Sequence, residues 1–115
     1  MNKRAQGDPD DRAVLRSSVV GLLGLARRAG VLKVGSGPVL RALRDEDPGV
    51  VFLARDAGED LVGKIQRARG KSIVDRSLLC GADLADAFGR ERLSVVSVHD
   101  RNFVTGLRRQ LSDSR

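Results

Sequence analysis

The sequence is poor in aromatic residues, with three phenylalanines and neither tryptophan nor tyrosine. Proteins that bind single-stranded nucleic acid stack successive bases on exposed aromatic rings, so this composition does not favour that mode of binding. Cysteine and histidine are equally scarce, because each occurs once, as Cys80 and His99. A single cysteine excludes an internal disulfide and a cysteine-rich zinc site, and a single histidine excludes a histidine cluster around a catalytic metal.

Long apolar runs are also missing. The longest uncharged, mainly apolar stretch is 17–26, about half of the ~20 residues that a membrane-spanning helix needs. A secretory signal peptide fits poorly, because aspartates precede this stretch and Arg27-Arg28 follows it, where a small-residue cleavage site belongs. We therefore expect a soluble cytoplasmic protein with no membrane contact. The 115 residues suit one domain over 12–115, preceded by a polar, mobile tail over 1–11.

Charge is abundant and unevenly distributed. The chain has 21 Lys and Arg residues against 15 Asp and Glu residues, a net charge of +6. Residues 12–44 contain seven basic residues and no acid, residues 45–63 carry a net charge of −5, and residues 64–76 return to +4. Clustered cations attract polyanions and make their binding salt-dependent. The alternative is a set of solvated helix faces whose charges disperse in space, and the charge pattern leaves both interpretations open.

Apolar periodicity predicts helices that alternate with strands. The spacing of apolar residues predicts a helix over 12–29, and Val14 and Leu25 on its other faces indicate burial on most sides. Gly21 and Gly24 in this helix indicate close backbone packing. The apolar run 50–54 predicts a central strand covered on both faces. The order αβαβαβαβα places the chain in the α/β class, as a three-layer α/β/α sandwich. The other predicted elements are strands over 31–34, within 72–79 and over 93–98, and helices that end near 44 and at Gly70 or span 82–88 and 100–111.

A glycine-rich turn, Gly35-Ser36-Gly37, follows a predicted strand and precedes a predicted helix. Glycines let the backbone approach an anion, and the amides of a helix N-terminus point towards it. The dinucleotide-binding pattern needs a third glycine where Leu40 stands, and the phosphate-loop pattern Gly-Lys-Ser/Thr is missing. We therefore expect no nucleotide cofactor, whereas contact with a nucleic-acid backbone stays open. Ser36 or Gly37 is expected to cap this helix, with Pro38 at its first position.

The remaining reactive residues do not favour catalysis. Cys80 follows apolar residues and is expected in the core rather than as a nucleophile. His99 is expected at the surface, beside Asp100, which is expected to cap the last helix. The acidic residues of 56–60 suit the first turn of a helix without any metal ion. The sequence thus predicts that the protein is not an enzyme and has neither a cofactor nor a metal site.

Five short motifs, taken in order, resemble a known family. They are GLLGLARRAG from Gly21, VGSG from Val34, LARDA from Leu53, LADAFG from Leu84 and VHDRNF from Val98. Together they resemble, over 14–111, the bacterial YlxQ-type branch of the ribosomal protein L-seven-Ae family. The resemblance implies an α/β/α sandwich around a central four-stranded mixed sheet, without enzymatic activity or cofactor. It also implies binding of structured RNA, such as a kink-turn in ribosomal or ribonuclease P RNA, and possible association with a ribonucleoprotein or a ribosome-associated protein.

The resemblance implies that RNA binds at the N-terminus of the second helix and at the loop before the last strand. In the family motif Gly-x-Asn-Glu-x-x-Lys, Gly35 matches the glycine and Arg41 matches the lysine. Gly37 and Pro38 replace the Asn and Glu that read bases. Because neither residue has a polar side chain, backbone amides and cations are left to position the RNA. The implied RNA-binding residues are Arg27, Arg28, Lys33, Gly35, Ser36, Gly37, Arg41, Arg90 and Arg92.

Two other functions stay open on the sequence. The same fold serves as a protein-interaction adaptor in some members of the family, and loss of the Asn-Glu pair fits such a change, with weak and non-specific RNA binding. Knotted RNA methyltransferases carry a similar N-terminal domain, but this chain is too short to supply their catalytic half. The composition fits a monomer.

Overall fold

A computed structural model describes residues 9–113 of the chain. Those residues form five helices and four strands in the predicted alternating order. None of these helices is long and apolar enough to cross a membrane. The bounds are α1 Pro9–Arg28, β1 Leu32–Val34, α2 Ser36–Asp45, β2 Val50–Leu53, α3 Glu59–Ala68, β3 Ile73–Asp75, α4 Gly81–Phe88, β4 Val95–Val98 and α5 Arg101–Asp113.

The four strands form one mixed sheet in the order β1-β4-β2-β3. β4 runs antiparallel to both β1 and β2, whereas β2 and β3 are parallel, so the first three strands point the same way. We call the end where they finish and β4 begins the carboxyl end of the sheet, and the other the amino end. Helices α1, α4 and α5 cover one face, and α2 and α3 cover the other. This arrangement confirms the predicted three-layer α/β/α sandwich.

The central strand β2 sends its side chains alternately into two hydrophobic cores. Val50 and Phe52 pack with α1, α4 and α5, whereas Val51 and Leu53 pack with α2 and α3. All four residues of β2 are buried, which confirms the prediction of a strand covered on both faces. Each large side chain removed from water contributes about 1.5–3 kcal/mol to stability. The sheet is therefore a firm base for the loops at its two ends.

Helix α1 starts within the predicted tail. Its first residue is Pro9, whereas the sequence predicts a helix from Arg12. Proline suits the start of a helix, because its missing N–H would have no partner in the first turn. The rest of the predicted tail, residues 1–8, lies outside the described part of the chain.

Helix α1 is less buried than its apolar composition indicates. Val14 is 68% exposed and Leu25 is 47% exposed. Cβ atoms added at Gly21 and Gly24 would meet no neighbour within 4 Å. The predictions of burial on most sides and of close backbone packing are therefore wrong, because α1 belongs to an outer layer and turns one face to the sheet.

His99 is buried, so the prediction that it lies at the surface is wrong. Its Nδ1 lies 2.9 Å from the carbonyl oxygen of Asp47 and donates to it, and its Nε2 lies 2.9 Å from Ser97 Oγ. These two bonds satisfy the ring and tie the end of β4 to the turn before β2. Asp100 caps α5 as predicted, since its Oδ1 accepts the amide N–H of Asn102 at 3.0 Å.

Candidate nucleic-acid interface

The two segments implied as RNA-binding meet at the carboxyl end of the sheet. The amide of Gly35, directly after β1, donates to the carbonyl of Val95, the first residue of β4, at 3.0 Å. The amide of Ala54, directly after β2, donates to the carbonyl of Ser94 at 2.7 Å. Because β4 begins between the ends of β1 and β2, the turn before α2 lies beside the loop that precedes β4.

Gly35 forms the sharp turn from β1 into α2. It is the N-cap of α2, with φ of 93° and ψ of 164°, a conformation essentially confined to glycine. Ser36, Gly37 and Pro38 then occupy the first, second and third helical positions, and no side chain caps the helix. The prediction that Ser36 or Gly37 caps α2 with Pro38 at its first position is therefore wrong, because the turn needs a residue with positive φ one position earlier.

The uncapped first turn of α2 exposes backbone donors. Ser36 and Gly37 are exposed, Pro38 has no N–H, and the amide of Val39 donates to the carbonyl of Gly35 at 3.1 Å. The amides of Ser36 and Gly37 therefore have no partner among the described residues. The positive end of the helix dipole adds to these two donors, so the turn is suited to an anionic oxygen.

Arg41 places a full positive charge beside these donors. It lies one turn further along α2 and is exposed. A Cβ atom added at Gly37 would lie 3.7 Å from Arg41 Nη1, so the guanidinium folds back towards the first turn of the helix. An anion at this turn would accept hydrogen bonds from backbone amides and from a charged guanidinium.

The loop 89–93 supplies a second group of cations. Gly89 ends α4 with a positive φ of 66°, and the amide of Arg90 donates to the carbonyl of Ala85 at 3.0 Å. Arg90 and Arg92 are exposed, whereas Leu93 is buried and anchors the loop to the core. The loop therefore presents two arginines shortly before the start of β4, whose first residue bonds to Gly35 at the turn into α2.

Arg27 joins this group through an aromatic contact. Its guanidinium carbon lies 5.9 Å from the centroid of the Phe88 ring, and Phe88 directly precedes the loop 89–93. The negative face of an aromatic ring attracts a guanidinium, so this contact favours an Arg27 position near the loop.

Two of the predicted cations are not counted with this group, although Lys33 lines the same depression as Pro38 and Arg41. Lys33 Nζ lies 3.1 Å from Glu46 Oε2 at the C-terminal end of α2, and this ion pair offsets its charge. Arg28 lies beside Arg27 at the end of α1, near the start of β1, but unlike Arg27 it has no contact with an aromatic ring of the described residues that would draw it towards the loop 89–93. We call the remaining residues the carboxyl-end surface: Arg27, Gly35, Ser36, Gly37, Arg41, Arg90 and Arg92.

Two further arginines lie at the carboxyl end of the sheet and were not among the predicted site residues. Arg55 directly follows Ala54, and its Nη1 donates to the carbonyl of Leu78 at 3.3 Å. Arg76 directly follows β3 and is exposed. For Arg55 the available signal was a cation directly after the predicted strand 50–54, since the ends of parallel strands meet at one edge of a sheet. Arg76 gave no such signal, because it lies inside the stretch 72–79 in which the third strand was predicted without bounds.

Two acidic side chains at this end are engaged by the first turn of α4, whereas Glu91 lies exposed between Arg90 and Arg92. Asp56 Oδ1 accepts the amide N–H of Gly81 at 2.8 Å, and Asp83 Oδ2 accepts the amide N–H of Cys80 at 2.9 Å. The hydrogen bond from Cys80 is the main cause of a lowered pKa of Asp83. Both carboxylates thus offset the dipole of α4, and Asp83 is also attracted by Arg16 and Arg55.

Cys80 is half-buried and is the N-cap of α4, so its predicted place in the core is wrong. Helix α4 starts at the rim of the sheet, so its N-cap residue Cys80 also lies at the rim and is partly exposed. Across residues 9–113, no three His, Cys, Asp or Glu side chains are grouped so that they could hold a metal ion.

Comparison with known proteins adds a fold but no activity. No protein-family model matches the chain, and no curated protein matches it. A solved structure of a protein with unknown function from Bacillus halodurans is similar, with a TM-score of 0.72 and 28% sequence identity. The similarity covers 82% of this chain and 96% of that one. Because the function of that protein is unknown, the likeness bears on the architecture alone.

Proposed function

We propose that this protein is a non-enzymatic RNA-binding protein whose carboxyl-end surface binds the phosphate backbone of folded RNA. The observation that carries the proposal is the hydrogen bond between Gly35 and Val95, which sets the open first turn of α2 beside the start of β4, the strand that follows the loop bearing Arg90 and Arg92. Amides and arginines held together on a firm base suit closely spaced phosphates. The target is a kink-turn or a related bend in ribosomal or ribonuclease P RNA, bound by a cytoplasmic monomer.

Folded RNA fits this surface better than unpaired RNA. Phe52 and Phe88 are buried, and Phe103 packs against the core. The described residues therefore offer no exposed ring on which an unstacked base could lie. Charge and amide donors remain, and these contact phosphate and sugar.

Recognition on this proposal depends on RNA shape more than on base identity. Gly37 and Pro38 have no polar side chain, so the first turn of α2 contributes backbone donors rather than base readout. A sharp bend in RNA brings phosphates of two strands close together. Two adjacent groups of cations then contribute most to the binding affinity. Binding of bent RNA in preference to straight duplex is the expected signature.

The test is a titration against a kink-turn RNA and a straight duplex of the same length, each at two salt concentrations. The site variant is Arg41→Gln/Arg90→Gln/Arg92→Gln. If each arginine contacts one phosphate, the variant lowers the log–log salt slope by about two to three units and the affinity for the kink-turn by at least about tenfold. The wild-type protein is expected to prefer the kink-turn.

The matched control removes three exposed cations from α2 and α3 on the same protein. It is Arg44→Gln/Lys64→Gln/Arg67→Gln, and it breaks two exposed ion pairs that contribute little to stability. Equal losses in the site variant and this control would reduce the proposal to a general charge effect. Weak binding that ignores RNA shape, together with a stable protein complex in a pull-down, would instead favour the adaptor function.

A further inference from the structure

The outward face of α5 is a second cationic surface that the proposed site does not use. Arg101, Arg108 and Arg109 are exposed on it, and Asp113, the last residue of the helix, is the first acid along α5. Helical geometry places residues 101 and 108 on the same side of the helix, about 10 Å apart along its axis. The other exposed residues of this face are the polar Asn102, Thr105 and Ser112.

No ion pair with a described residue offsets the charge of these arginines. The ion pairs found among residues 11–113 are Lys33–Glu46, Arg44–Asp45 and Lys64–Asp60, and none involves α5. Asp47 lines a depression with Arg101 and Arg108, and Asp113 ends α5, but neither carboxylate forms an ion pair with these arginines. Two other neighbouring acids have partners elsewhere. Asp100 accepts amides of the first turn of α5, and Asp75 accepts the amide of Leu78 at 3.1 Å.

The α5 surface lies on the opposite flank of the protein from the first turn of α2. Arg108 lies between two shallow depressions, one shared with Arg101 and the turn at Asp47, the other shared with Arg12 and β3. β3 and β1 are the two edge strands of the sheet, separated by three strand spacings, or about 14 Å. The two cationic surfaces therefore face different directions.

We propose that the outward face of α5 binds the phosphate backbone of a second RNA segment. The inference rests on the proposed function, because it extends the same RNA beyond the carboxyl-end surface. A protein partner fits less well, since protein interfaces centre on buried apolar or aromatic anchors and this face has none among its exposed residues. Arginine, asparagine, threonine and serine are the side chains that contact RNA phosphate and sugar.

The separation of the two surfaces constrains the shape of the RNA. Because α2 and α5 cover opposite faces of the sheet, a straight duplex that lies along the first turn of α2 does not also lie along the outward face of α5. An RNA that touches both surfaces must therefore bend around the protein or bring two helices to it. A kink-turn with long stems, or a junction of ribosomal type, has that shape.

The experiment uses the full chain and three RNAs: a short kink-turn hairpin, the same hairpin with each stem lengthened by about ten base pairs, one helical turn, and a straight duplex of the longer length. The α5 variant is Arg101→Gln/Arg108→Gln/Arg109→Gln. It is compared with wild type, with the site variant and with the three-cation control on α2 and α3. Thermal unfolding checks that the variants are equally folded.

The expected result separates the two surfaces. The α5 variant binds the short hairpin as wild type does, but its affinity for the long hairpin falls by about tenfold or more and its salt slope by about two to three units. The site variant loses affinity for both hairpins, and the control loses neither.

Each other outcome overturns one proposal or both. An α5 variant with unchanged affinity and slope on the long hairpin overturns this inference and leaves the carboxyl-end surface standing. An unchanged site variant beside an affected α5 variant overturns the proposed binding site and keeps α5 as an RNA contact. Wild-type protein that binds none of the three RNAs overturns both.

Discussion

The two ends of the sheet differ in the exposure of their polar groups. At the amino end, His99 and Ser72 are buried and hydrogen-bonded: the histidine joins Asp47 and Ser97, and Ser72 Oγ accepts the amide of Gly49 at 2.9 Å. At the carboxyl end, the arginines and the first amides of α2 are exposed. Buried polar groups with partners specify a fold, whereas exposed donors grouped at one end are available to a ligand.

Each end also depends on one glycine, for different reasons. Gly49 lies against the end of β4, where a side chain has no room. Gly35 has space around it but a φ of 93°, which side chains rarely adopt. Substitution at the amino end should therefore affect folding alone, and substitution at Gly35 should affect both folding and RNA binding.

The largest expected effect is that of Gly49→Ala. The added Cβ would collide with the carbonyl oxygen of Val98 and the ring of His99, so the buried turn must shift. We expect a loss of about 3 kcal/mol in the free energy of unfolding, measured in urea, with unchanged RNA affinity of the folded fraction. Gly21→Ala is the control, because Gly21 lies on the exposed face of α1 and its added Cβ meets nothing within 4 Å. This substitution should raise the free energy of unfolding by about 0.5–1 kcal/mol.

A Gly49→Ala protein with full stability would mean that the turn before β2 is loose, and that the hydrogen bonds of His99 do not hold it. A folded Gly49→Ala protein with lost RNA affinity would break the comparison differently, because it would place part of the binding site at the amino end.

A smaller loss of stability is expected of Gly35→Ala, which should also lower the RNA affinity. An alanine held at this backbone conformation costs about 1–3 kcal/mol of stability. Relaxation of the strained backbone would shift the first turn of α2 relative to the start of β4. Urea unfolding and the kink-turn titration, made on the same preparation, measure the two losses. Lost stability with unchanged affinity would remove the first turn of α2 from the interface.

Local patterns predict the elements of this fold well, and contacts with distant residues explain the failures. The uninterrupted apolar run of β2 marks a strand covered on both faces without knowledge of its neighbours. The burial of Val14 is predicted wrongly, because an apolar side chain on a helix does not by itself indicate which face of the helix packs against the sheet. His99 is misjudged because its partner Asp47 is distant in sequence, and nothing in its immediate neighbours indicates a buried acceptor.

The candidate site divides along the same line. Gly35 and Arg41 stand out in sequence because the turn and the helix that hold them are local. The position of Gly35 beside the start of β4 depends on the antiparallel pairing of β1 with β4, a long-range contact that no short pattern encodes. The ion pair of Lys33 with Glu46 depends likewise on how α2 packs over β1.

The smallest expected effect tests an acid that serves the fold at the carboxyl end. Asp83 accepts the amide of Cys80, and this bond lowers the pKa of the carboxyl in the folded protein. A lowered pKa means that the ionised form stabilises the fold above the ordinary pKa, and that this stabilisation is lost as the pH falls through the lowered value. At pH 7, Asp83→Ala should cost about 1 kcal/mol, as loss of a helix-capping bond does.

The pH dependence of this difference separates a charged cap from a packing effect. Unfolding free energies of wild type and Asp83→Ala, measured between neutral pH and about pH 2, should begin to converge below about pH 4, where the unfolded carboxyl becomes protonated. They should meet once the pH lies below the lowered pKa, where the folded wild-type carboxyl is protonated too. Asp83→Asn keeps an oxygen acceptor without the charge, so it should lie between the two proteins at neutral pH and meet them in acid. A gap between wild type and Asp83→Ala that stays constant with pH would mean that the side chain acts by packing. The acid would then not offset the dipole of α4, and it would remain a negative charge competing with the arginines for RNA.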